Sequence, residues 1–223
     1  RAPRGAGIEV SDVARYLVPA ARHRAEQTIA RSRLICTVQR VSSSHEAQEF
    51  LRAIHAEFPD ATHSCWAYLI GAPGSTDRIG MSDAGEPHGT AGRPMLTVLQ
   101  HSDVGDIAAI VTRYYGGTNL GTGGLVKAYG GTVQLALATL PTVERIDYTE
   151  MTVVVGYESI SAIQQLLPRF ESSSLGEDYG ERATFRLRVP QARVAELRAA
   201  VLDATSGRAD IATAARIALE EPG

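Results

Sequence analysis

The chain has 223 residues, 44% hydrophobic and 21% charged, with a formal net charge of −3. That length buries a core without a metal or disulfide staple, and Cys36 and Cys65 are too few for a disulfide framework or a four-thiolate zinc site. The slight acidity argues against a strongly electrostatic nucleic-acid binder, and no stretch approaches the roughly 20 apolar residues of a membrane span.

The charge is uneven. Residues 1–145 carry 14 basic and 13 acidic side chains, residues 146–223 carry 8 and 12, and residues 1–33 carry 7 and 3. The N-terminal segment is therefore locally basic. Arginine supplies 21 of the 22 cations and Lys127 the other. Arg1 to Gly7 lack the apolar run of a secretory leader, so the expected compartment is the cytoplasm.

Residues 33–41 read as a strand, β-branched with rough alternation. Ser43 and Glu46 have capping-box spacing before a helix built on Ala47, Phe50, Leu51, Ile54 and Phe58, which Pro59 ends. Residues 63–70 form a second strand, apolar on both faces and so expected to be interior. A turn-rich stretch from Gly71 to Gly80 and a Gly/Pro-rich loop over 82–94 lead into a short helix using Met95, Val98 and Leu99. Residues 106–115 are a third strand. A glycine-dense loop, 116–124, follows it, and then a helix to about Leu140. Residues 141–147 mark the expected boundary between domains 1–145 and 146–223. Beyond it the order is strand, helix, strand, strand, helix, strand. This is the ferredoxin-like split motif, with two helices on one sheet face and the other face open.

The strongest motif runs from Val111 through Arg113, Tyr114, Tyr115, Gly116 and Gly117 to Gly121, and on to Lys127, Ala128, Tyr129, Gly130 and Gly131. Upstream stands Ser82-Asp83-Ala84-Gly85-Glu86-Pro87-His88-Gly89-Thr90-Ala91-Gly92, and before it Ser32-Arg33 and His63-Ser64-Cys65-Trp66-Ala67-Tyr68. In these motifs, from about residue 20 onward, the sequence resembles the YigZ/IMPACT family. The resemblance implies an α+β protein. Its N-terminal domain is similar to the second domain of small-subunit ribosomal protein five and domain four of elongation factor G. Its C-terminal domain is ferredoxin-like, similar to domain five of that factor. Eukaryotic relatives modulate a stress kinase that controls translation initiation, so the resemblance implies a translation-linked, regulatory role. Fold likeness to translation factors is analogy only.

Glycine permits positive φ and close approach, and a glycine-rich loop at a helix start aims N–H groups at an anion. Gly116, Gly117, Gly121, Gly123 and Gly124, with Arg113 before them and Lys127 after, make a candidate anion- or nucleic-acid-binding cradle. Arg33 and Arg93 add phosphate contacts, and Tyr114 and Tyr115 stack or pack. The plain alternative is a tight strand-to-helix corner. It is not a Walker loop, because no Gly-Lys-Ser/Thr ends it. Asp83, Glu86 and His88 offer metal-ligand chemistry but fit turn chemistry better, and no metal or cofactor is expected. His63 and Cys65 share a strand face, yet Trp66, Tyr68 and Leu69 point to burial and an inert thiol. Arg182, Thr184, Arg186 and Arg188, with Arg216, face away from Phe185 and Leu187 and are expected on a solvated sheet face, with contact to RNA phosphates the alternative. Three functions follow: a factor binding RNA or the ribosome, a regulator binding a protein partner, or an enzyme or small-anion-binding protein using loops 82–92 and 116–124. Binding is expected over catalysis, with no membrane association.

Overall fold

The computed structural model describes residues 15–221, with side chains through residue 214. The chain divides into two compact units, Arg1–Val143 and Glu144–Gly223. Residues 1–14, the first part of the locally basic segment 1–33, and the side chain of Arg216 lie outside the described residues.

The first unit is built on a five-stranded sheet. Its strands are β2 (His23–Ile29), β3 (Ser32–Arg40), β4 (His63–Leu69), β5 (Ile79–Ser82) and β6 (Ile107–Tyr114), in the order β2–β3–β6–β4–β5. Every neighbouring pair is antiparallel. A short β1 (Arg15–Pro19) runs beside Val104, and Tyr16 donates to Asp106 Oδ2 at 2.9 Å.

Side chains alternate between the faces, and register puts Cys36, Val111 and Cys65 in one row and Leu34, Arg113 and His63 in the next. The face holding these rows packs on α2 (Gly92–Gln100) and α3 (Gly121–Ala138) through Met95, Leu99, Leu125, Tyr129 and Val133. The opposite face carries α1 (Ser44–Glu57), whose Ala47, Phe50 and Ile54 meet Ala108 and Ile110. The α1 start is capped as its sequence implies. Ser43 Oγ accepts from the Glu46 N–H at 3.1 Å, while Glu46 reaches back to Ser42 N–H and Oγ rather than to Ser43.

Three strands depart from the sequence expectation. The edge strand β2 turns His23, Ala25, Gln27 and Ile29 inward, a set too polar to show as hydrophobic alternation. β5 is four residues long inside a glycine-rich stretch, and β1, five residues built on Tyr16 and Val18, lies ahead of the first strand expected, 33–41.

The second unit has the expected βαββαβ order: β7 (Thr142–Val155), α4 (Ile160–Leu166), β8 (Ser173–Tyr179), β9 (Ala183–Pro190), α5 (Val194–Ala204) and β10 (Asp210–Glu221). These strands pair antiparallel as β10–β7–β9–β8. Met151, Val153, Phe185 and Leu187 face Ile163, Leu197 and Val201 in a closed core. Two of the arginines expected on the other face are held by the fold. Arg182 pairs with Asp210 and donates to the carbonyls of Val154 and Arg208, and the Arg188 guanidinium sits 4.9 Å from the Tyr148 ring centroid. Among the described residues no helix is long and apolar enough to cross a membrane.

Candidate functional site

Loop 82–92 is organised by Asp83. Its Oδ1 accepts from the Ala91 and Gly92 N–H groups at 2.9 and 2.8 Å, and its Oδ2 from Gly89 at 2.8 Å. This carboxylate closes the loop and satisfies orphan amides at the start of α2. Partial burial raises the carboxyl pKa, but the three backbone bonds outweigh it and hold the group below its ordinary value of 3.8. Asp83→Ala is expected to cost about 1–3 kcal/mol. Because the folded-state pKa is depressed, that contribution is complete above the ordinary value and is lost as pH falls through the lower, folded one. Trp66, the single tryptophan, lies in the first unit. Denaturation of wild type and variant followed by its fluorescence should converge toward acid pH, and a constant gap would contradict the assignment.

Beneath the loop lies a sealed polar cluster. Arg113 Nη1 donates to Glu86 Oε1 at 2.5 Å, the Tyr129 hydroxyl donates to the same oxygen at 2.7 Å, and Arg113 Nη2 donates to Ser32 Oγ at 3.3 Å. Ser32 Oγ also accepts from the Gly116 N–H at 3.2 Å. The side chains of Arg113 and Glu86 are 6% and 4% exposed. Loops 82–92 and 116–124 are therefore tied together, through a buried ion pair rather than an open cleft. Cys65 lies fully buried and donates to the Asp83 carbonyl at 2.9 Å. Burial pushes its thiol up to about 12, which fits the inert role expected of it.

The expected single cradle is divided. Arg113 was expected to face a ligand. The alternation that puts Ile107, Ala109 and Val111 on the α2/α3 face puts Arg113 there too, and α3 covers it. Its guanidinium also sits 5.5 Å from the ring centroid of Tyr115, which is half exposed. Tyr114 faces the other way and donates to Asp60 Oδ1 at 3.0 Å. Arg33 is exposed but paired with Glu26 at 2.7 Å, and that hydrogen bond raises its pKa. The metal-ligand set is dispersed as well. Asp83 and Glu86 have separate protein partners, and His88 is fully exposed, 3.9 Å from Asp83.

The glycines differ among themselves. Gly116 is covered, since a Cβ there would lie 2.0 Å from the Arg31 carbonyl carbon. Gly117, Gly121 and Gly123 are open, with nothing within 4 Å of an added Cβ, while Gly124 packs beside Leu120. Gly117 and Gly121 have φ of 79° and 67°, the left-handed region.

The residue that covers Gly116 was not among the candidates. Ile29 pairs with Ser32, so Ala30 and Arg31 form a two-residue hairpin turn, with φ of 46° and 67°. Such turns favour Asn-Gly, and nothing in Ala-Arg signals one. The turn holds Arg31 over the corner, where its Nη2 donates to Thr118 Oγ1 at 2.6 Å.

Arg93 and Lys127 come together elsewhere. With Pro94, Val98, Val126 and Gly130 they line a groove of about 620 Å³ between α2 and α3. Lys127 follows Gly123 and Gly124 by one helical turn and so shares their face of α3.

Residues 30–137 match the family model described as the Impact N-terminal domain, and residues 153–208 match one described as a domain of unknown function (DUF1949). The chain is 42% identical over 192 residues to the IMPACT family member YigZ of Escherichia coli (strain K12), covering 86% of this chain and 94% of that protein. It is 37% identical over 196 residues to an IMPACT family member of Haemophilus influenzae, covering 88% and 95%. A crystal structure described as that of a hypothetical protein superposes with a TM-score of 0.62 at 41% identity, covering 89% of this chain and 97% of that one.

Proposed function

Since the chain belongs to the IMPACT family, we propose that it is a cytoplasmic, translation-linked factor that binds RNA, free or on the ribosome, along a cationic edge of the first unit. The observation that carries this reading is the placement of Arg31. A strained two-residue turn, each residue costing about 1–2 kcal/mol in the left-handed region, holds a guanidinium over the open glycine corner. Its hydrogen-bond partner is a hydroxyl, not a carboxylate, so its charge is uncompensated. Lys127 and Arg93 extend the positive edge along α3 and α2, and no acidic residue lines the groove between them. The bare surface at Gly117, Gly121 and Gly123 lets a phosphodiester backbone approach closely. A binding role is favoured over catalysis because Glu86 and Cys65, two of the groups with reactive chemistry near the loops, are sealed in the interior.

Filter binding to structured RNA and to ribosomes, repeated over a salt series, tests this. Association should weaken steeply with salt. Arg31→Glu and Lys127→Glu should each make the logarithmic slope shallower by about 0.7–0.9 for every phosphate they no longer neutralise. The absence of any salt-sensitive association by the wild-type chain would end the proposal.

A further inference from the structure

Phosphate recognition explains the cations of the α2–α3 groove but not its apolar lining. Pro94 and Val98 of α2 face Val126 of α3, which is 40% exposed. Gly130 and Gly131 leave the floor between them without side chains. A Cβ added at Gly130 would stand 3.7 Å from Val98 and 3.8 Å from Pro94, ordinary packing distances that show the helices closely apposed there. The α3 wall runs from Val126 to Gln134, about 12 Å at helical rise. A hydrated phosphate chain gains nothing from such a trough, because burying its charge against valine and proline is costly.

We propose that this groove docks an amphipathic helical segment of a protein partner, with its apolar side chains against Pro94, Val98 and Val126 and its carboxylates against Arg93 and Lys127. The choice of occupant rests on charge complementarity. The lining holds two cations and no acid, and neither cation has a carboxylate partner among the described residues. The length of the trough fits the same occupant, since about two turns between two helices suit anchors spaced i, i+4, i+7 on a third. The site goes beyond RNA binding. It shares Lys127 and Arg93 with that surface, but its apolar floor is its own.

The test pans displayed helix-forming peptides of about 12 residues against the full chain, with a Gly131→Leu variant as counter-selection. Gly131 lines the groove, so leucine there narrows it, and the site has room, the nearest neighbour of an added Cβ being Gln27 Nε2 at 3.8 Å. Enriched peptides should pair apolar residues at helical spacing with Asp or Glu. A synthetic copy should bind Gly131→Leu and Lys127→Glu at least about tenfold more weakly than wild type, a 1.4 kcal/mol difference, and should bind Arg31→Glu unchanged. Val126→Ser, at an exposed position, should weaken the same peptide and leave RNA binding as in wild type. The proposal is overturned if nothing is enriched over the counter-selection, or if the peptides carry no acid. It is equally overturned if Val126→Ser and Gly131→Leu lower RNA binding in step with peptide binding, because the groove would then belong to the RNA surface. Failure of the chain to bind RNA at all would leave this test intact.

Discussion

Glu86→Ala should lower the stability of the first unit by about 3–5 kcal/mol, the usual result of stranding one member of a buried ion pair. Arg113 would keep its charge under α3 with only Ser32 to accept from it, and its Nε already has no partner. Tyr129→Phe removes one donor to the same carboxylate oxygen and should cost less, about 1.5–3 kcal/mol for a bond to a charged group. The double replacement Glu86→Leu with Arg113→Met should recover much of the loss, since apolar substitutes for a buried pair are often neutral. Denaturant titration followed by Trp66 fluorescence reads all of these from the first unit. A near-wild-type midpoint for Glu86→Ala would show that the ion pair does not hold the two loops together.

Gly116→Ala should be comparably damaging, for a different reason. The added carbon would fall 2.0 Å and 2.1 Å from the Arg31 carbonyl carbon and oxygen and 2.5 Å from the Ser32 nitrogen. These are backbone atoms of a hairpin turn and cannot step aside as a side-chain tip can. The expected cost is about 3 kcal/mol or more, at the upper end for overpacking. Gly123→Ala is the control. It lies within α3 with nothing near its Cβ position and should be stabilising by up to about 1 kcal/mol from helix propensity. If both variants melt alike, the hairpin does not rest on Gly116.

Period and punctuation were enough to read much of the fold. The 3.6-residue spacing of Ala47, Phe50 and Ile54, the Ser43 and Glu46 cap, and the alternation of Met151, Val153 and Val155 each lie within one element and depend on local geometry alone. The candidate site was legible only in part. Residue types marked Arg93 and Lys127 as cations, and they do line one groove. Arg31 carried no signal, because its position depends on a turn its own residues disfavour.

Sequence alone therefore determined the two units, the βαββαβ order of the second, and the presence of a glycine corner between β6 and α3. Tertiary structure decided what the corner's neighbours do. Arg113 looks like a surface cation until Glu86, 27 residues away, and Tyr129 of α3 are packed against it. The reason is physical. Periodicity tells which residues share a face, but whether that face meets water or a buried carboxylate depends on contacts between distant segments.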